Sequence, residues 1–141
     1  MDTATLVAEV EDLYLTYIDA FNEGDIETYC NCFDEQSVML KRDVFNLIDA
    51  GPGLVRHARA LRERLSGSGW MRTDILRKRT WPIEPGMACV VADLSRVSSS
   101  GVEYERARCM YLVVKRDTGW KIRSSTVSIE ALPESDGLLG A

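Results

Sequence analysis

The sequence carries a single histidine, His57, and four cysteines, Cys30, Cys32, Cys89 and Cys109. Tetrahedral metal sites draw on Cys and His at characteristic spacings, and Cys30-x-Cys32 is not one of them, so no metal is expected. No residue beside any cysteine in sequence would activate a thiol, so the four read as buried structural groups. A secretory leader is missing too, because Met1-Asp2 opens onto an acidic amphipathic helix. The thiols therefore read as reduced, in a cytoplasmic protein, rather than as a disulfide frame. Apolar runs are short, and none approaches the ~20 residues that span a bilayer. Positive charge is in deficit: 17 Lys and Arg stand against 22 Asp and Glu, a net charge of −5. A dedicated nucleic-acid binder needs a basic face, and this balance argues against one. The local basic clusters at 56–64 and 72–78 read as a solvated helix face and a solvated strand edge, with a phosphate site as the alternative. There is no internal repeat, no interdomain linker and no motif that implies a cofactor.

What is present suits one globular domain: 141 residues, 45% of them hydrophobic. The chain is organised around residues 14–33, YLTYIDAFNEGDIETYCNCF. Leu6, Val10, Leu13, Tyr14, Tyr17, Ile18 and Phe21 recur at helical spacing and predict one apolar stripe over 5–22. Gly24 suits the left-handed residue that ends a helix, and Asp25 the N-cap of the next. Ile26, Tyr29, Cys30 and Phe33 give that second helix a buried face. Residues 34–36 read as a polar turn, and 37–41 and 45–48 as strands. Pro52 opens a third helix that runs to residue 66. Four strand-like runs follow at 70–83, 87–97, 102–116 and 120–130, the last two joined by a hairpin turn at Asp117-Thr118-Gly119. Residues 1–131 form the domain, and 132–141 read as a flexible tail. The order α-α-β-β-α-β-β-β-β, with short turns between successive strands, predicts an α+β fold. Three helices pack on a strongly curved, mostly antiparallel sheet, giving a half-open cone.

Three stretches resemble the NTF2-like superfamily, and within it the SnoaL-like and ketosteroid isomerase-like branch. Residues 17–25, YIDAFNEGD, look like the family's helix-one signature. Tyr29 to Phe33 followed by Gln36-Ser37-Val38 is similar to its short helix entering strand one. Asp117-Thr-Gly-Trp-Lys-Ile122 looks like its last hairpin. The resemblance spans about residues 5–130 and implies the cone fold, which hosts isomerases, cyclases, dehydratases, hydrolases and non-catalytic partners.

The resemblance also points to individual positions. An oxyanion-donating tyrosine falls on Tyr17, which is otherwise a core residue with a satisfied hydroxyl. The isomerase base falls on Lys41, which is no base at neutral pH unless desolvated; Asp43, two residues on, reads as a turn residue. The second donor falls approximately on Tyr111, which is equally a packing residue. After Trp120 and Ile122, period-two alternation puts Ser124, Thr126 and Ser128 on the cavity face, where the family often has His or Asp. His57 reads as a solvated helix residue.

Asp93, amid Val91, Ala92 and Leu94, has two readings. If it shares a concave face, it is the best base in the chain. If it points outward, it pairs with Arg77, Arg79 or Arg108. Asp74 is a weaker candidate of the same kind. The expectation is an apolar cavity lined by Tyr14, Tyr17, Tyr111, Cys109, Ser124 and Thr126 that binds a small hydrophobic molecule. If catalytic, it performs proton transfer (isomerisation, cyclisation or dehydration) with Asp93 as base and Tyr17 as electrophile. The alternative is a non-catalytic dimeric module. A homodimer is expected through an outer apolar stripe of Met110, Leu112, Val114, Val127 and Ile129.

Overall fold

The computed structural model describes residues 2–129. Asp2 caps the first helix by accepting a hydrogen bond from the Thr5 amide at 2.7 Å, so α1 (Thr3–Glu23) starts three residues before its apolar stripe does. That stripe (Leu6, Val10, Tyr14, Tyr17, Ile18, Ala20, Phe21) is buried. Gly24, at φ 76°, ends α1. Asp25 caps α2 (Ile26–Asn31) through the Thr28 amide, at 3.1 Å. The break between the two helices is thus made by the two residues that local chemistry singles out. Pro52 sits in the first turn of α3 (Pro52–Gly67), whose buried residues are Leu54, Ala58 and Leu65.

Six strands form one sheet: β1 (Phe33–Lys41), β2 (Val44–Asp49), β3 (Trp70–Glu84), β4 (Met87–Ser98), β5 (Glu103–Arg116) and β6 (Gly119–Ser128). Their order is β2-β1-β6-β5-β4-β3, with β1 parallel to β6 and every other pair antiparallel. The sheet is mixed and unclosed, and α1 lies across it against β3 and β6. The inner face carries Ala88, Val90, Ala92 and Leu94 of β4 and Ala107, Cys109, Tyr111 and Val113 of β5, packed on the α1 stripe. Burying each large side chain of this kind contributes about 1.5–3 kcal/mol.

Residues 34–36 are not a turn. They belong to β1, and Asp34 is buried on the outer face. It accepts bonds from Arg116 at 2.9 and 2.8 Å and from Arg123 at 3.2 Å. The arginines neutralise a carboxylate that would otherwise bar this segment from a sheet. Residues 130–131 and the tail at 132–141 lie outside the described residues.

Candidate functional site

Four tyrosines meet between α1, α2 and the centre of the sheet. α1 supplies Tyr14 and Tyr17 one turn apart, α2 supplies Tyr29, and the buried parity of β5 supplies Tyr111. Tyr17 stacks on Tyr29 at 5.1 Å between ring centroids and meets Tyr111 edge-on at 5.4 Å. The hydroxyls of Tyr17 and Tyr111 are hydrogen-bonded to each other at 3.2 Å. Tyr14 packs on Tyr111 with centroids 5.2 Å apart, and its buried hydroxyl has no hydrogen-bond partner among the described residues.

Beside the Tyr17–Tyr111 pair is a cavity of about 60 Å³. This is room for about two water molecules. Its walls include Phe21, Leu61, Leu65, Leu94, Cys109 and Val127, with Arg96 as their one charged residue. Aromatic side chains fill most of the expected cavity, and Tyr14 packs behind its wall rather than lining it.

Burial drives the phenol pKa values of Tyr14, Tyr17 and Tyr111 far up, and pushes the Cys109 thiol up to about 11. The phenols are therefore hydrogen-bond donors at neutral pH and not bases, and the thiol is not a nucleophile.

Ser124 and Thr126 are not in this cavity. A register shift between Leu112 and Val113 opposes Ile122 to Val113 but Ser124 to Leu112. The extra residue on β6, Arg123, reverses the parity of everything after it. Ser125 and Val127 consequently face inward, opposite Tyr111 and Cys109, while Ser124 and Thr126 face outward, opposite Leu112 and Met110. The same bulge removes Val127 from the outer stripe. Ile129 lies past the end of β6, 52% exposed.

Asp93 also faces outward. Its neighbour Ala92 pairs with inward-facing Cys109, and Asp93 itself sits opposite Arg108. Its carboxylate accepts from Arg108 Nε at 2.7 Å and Nη2 at 2.9 Å, and from Arg77 Nη2 at 2.7 Å. The bonds from Arg108 lead in holding its pKa below the ordinary aspartate value. An ionised, doubly paired carboxylate on the far side of the sheet from Tyr17 is not a base for the cavity. Asp74 is tied to Arg72 at 3.0 Å on the surface. Lys41 is exposed at the end of β1, and Asp43 lies in the adjoining turn. The buried Nε2 atom of His57 has no hydrogen-bond partner among the described residues, and burial lowers that imidazole's pKa.

The residues that sequence reasoning missed are Arg96 and Glu105. They face each other across β4 and β5 and form an ion pair with side chains 16% and 26% exposed. The signal was the parity of β4, which carries Ala92 and Leu94 inward and therefore Arg96 as well. A larger hollow of about 820 Å³ lies outside the core beside Asp34, Arg116 and Arg123. It is an open groove in which Asp34 is paired with Arg116 and Arg123, and Lys121 donates to the Asn31 carbonyl at 2.6 Å.

Comparison with solved structures places this arrangement. The ketosteroid isomerase-like protein from Erwinia carotovora atroseptica SCRI1043 is 16% identical, with 89% of this chain and 97% of that chain covered and a TM-score of 0.68. Aln2 from a Streptomyces species is 14% identical, with coverage of 92% and 94% and a TM-score of 0.71. An NTF-2 like protein of unknown function from Shewanella oneidensis MR-1 is 18% identical, with coverage of 86% and 97% and a TM-score of 0.67. At such identities the likeness is one of fold. A search of curated proteins gave no match. Among the described residues no helix is long and apolar enough to cross a membrane. The sequence itself matches the family described as NTF2-like protein (DUF6841) over residues 8–129, and the chain belongs to that family.

Proposed function

We propose that the protein is a binding member of this fold, taking a small hydrophobic molecule whose oxygen is met by the Tyr17–Tyr111 hydroxyl pair. The observation that carries this reading is that pair, 3.2 Å apart in a mostly apolar wall. One hydroxyl donates to the other, and the acceptor's own proton remains for a ligand oxygen. Burial keeps both phenols protonated, so the donor persists at any physiological pH.

Proton-transfer catalysis in this cavity would need a base. Asp93 is outside, the phenols and Cys109 are held neutral, and Glu105 is engaged by Arg96. Binding without turnover is therefore the better-supported reading. Leu61 and Leu65 of α3 form part of the cavity wall, so entry of a ligand requires these side chains to give way.

The test is a titration of isotopically labelled protein with short alkyl methyl ketones, followed by amide shifts. Residues 17, 109, 111 and 127 are expected to move together. The double variant Tyr17→Phe/Tyr111→Phe should keep its fold and bind about tenfold more weakly, the worth of one hydrogen bond. Ketones that leave those amides unmoved, or that bind the double variant equally well, would remove the reading.

The same reading includes a two-fold dimer through the outer sheet face. Met110 is 46% exposed there, beside Leu112 and Val114. The register adds Val38 and Leu40 of β1 and Phe45 and Leu47 of β2 to the same face, the last two 76% and 58% exposed. Such an apolar surface on a twisted sheet supports self-association. The expected solution mass at micromolar concentration is twice the 15.8 kDa of the chain, reduced to one chain by Phe45→Glu with Met110→Glu. A monomeric native protein would sink the dimer.

A further inference from the structure

We infer that the ligand of this cavity is a small apolar carboxylate, held through its anion by Arg96. The inference rests on the binding reading above and narrows its ligand class. Arg96 is the one charged side chain in the cavity wall, and its side chain is only 16% exposed. A guanidinium has five N–H donors in a planar fork that fits a carboxylate. Here a single donor, Nη1, is engaged, by Glu105, and among the described residues Nε and Nη2 have no hydrogen-bond partner.

A cation with open donors beside an apolar pocket is half of an anion site, and Glu105 is its resident counter-ion. A ligand carboxylate takes up the open donors, sharing or displacing Glu105, while its hydrocarbon part lies among Phe21, Leu61, Leu65 and Leu94. A neutral molecule of the same shape makes the apolar contacts but leaves the guanidinium with Glu105. The site thus distinguishes acids from their neutral isosteres by charge and not by size.

The experiment titrates the native protein with short straight-chain alkanoates, acetate through butanoate, and with the primary amide of each. The acid is expected to bind about tenfold or more tightly than its amide, the worth of a charge-assisted bond. Glu105→Gln should raise affinity for the acid by about the same factor, because the competitor's charge is gone. Arg96→Gln should bring the acid-to-amide ratio near one. Because it leaves Glu105 unpaired, the paired variant Arg96→Gln/Glu105→Gln, with no charge to strand, serves as the check on folding and should lose the preference equally.

Acids that bind the native protein no better than amides, or a preference that survives in the paired variant, would overturn the inference while leaving the binding reading standing. If acids, amides and ketones all fail to bind, the binding reading itself falls.

Discussion

Replacing Asp93 with asparagine should cost the fold about 2–4 kcal/mol and leave ketone binding in the cavity within twofold of the native value. The carboxylate is 12% exposed and Arg108 is 16% exposed, so this pair is close to the buried regime, where loss of one charge is costly. Arg77, at 41% exposed, is screened by solvent and contributes little. Asparagine keeps the shape but removes the negative charge and turns an NH2 group toward cations, leaving one amide oxygen where two carboxylate oxygens take three bonds. Chemical denaturation read beside ligand titration checks both halves. A variant as stable as the native protein but unable to bind would return Asp93 to the cavity's chemistry.

The same carboxylate sets an acid limit. Its folded pKa lies below the ordinary value, so its contribution is complete above the unfolded pKa of about 3.9 and disappears as pH falls through the lower folded value. Asp34, lowered first by its bonds from Arg116, adds a second contribution of the same sign. Stability should therefore be level near neutrality and drop steeply below about pH 4. In Asp93→Asn that drop should be shallower.

The second large effect is expected at Arg62. This side chain of α3 reaches the end of α1, where Nε donates to the Phe21 carbonyl at 2.8 Å and Nη2 to the Asn22 carbonyl at 2.9 Å. Its guanidinium also lies over the Trp70 ring, 5.4 Å from the centroid. Helix C-termini leave carbonyls without intrahelical donors, and a cation is the best partner for them. Arg62→Met should cost about 2–3 kcal/mol, two partly buried bonds plus the ring contact.

Gly24 is tied to the same arginine. A Cβ there would lie 2.9 Å from Nη1 of Arg62, in a backbone at φ +76°. Gly24→Ala therefore carries about 1–2 kcal/mol of backbone strain together with displacement of the arginine. In the Arg62→Met background only the strain remains. A double-mutant cycle should show the two changes to be less than additive, and strict additivity would mean that Arg62 does not hold this helix end.

How far the sequence discloses this molecule depends on how local each determinant is. The break at Gly24, the cap of α2 and the turn at Gly119 are signalled by adjacent residues, so the sequence places them, with the end of α1 off by one residue. Asp34 is decided by Arg116 and Arg123, more than eighty residues away, and nothing beside it announces a strand. Ser124 and Ser125 are chemically alike, so alternation alone cannot detect the bulge that exchanges their faces. Asp93 looks interior because both faces of β4 are covered, the inner by apolar packing and the outer by the long side chains of β3 and β5. Arg96 was legible by counting alternate residues from Ala92, but its ion pair with Glu105 depends on a register that only the sheet supplies.

The parallel pairing of β1 with β6 has a consequence for the order in which the chain is made. β6 is the last of the described strands to be synthesised, yet it sits between the β1–β2 hairpin and the β3–β4–β5 meander and is hydrogen-bonded to both. Until residues 119–128 leave the ribosome, there are two sheet fragments with two unpaired inner edges, at β1 and at β5. Joining them requires contacts between the first and last thirds of the chain, which favours slow, late assembly. In that interval the edges are open to pairing with other chains, so a nascent chain is most in need of chaperone cover just before β6 emerges.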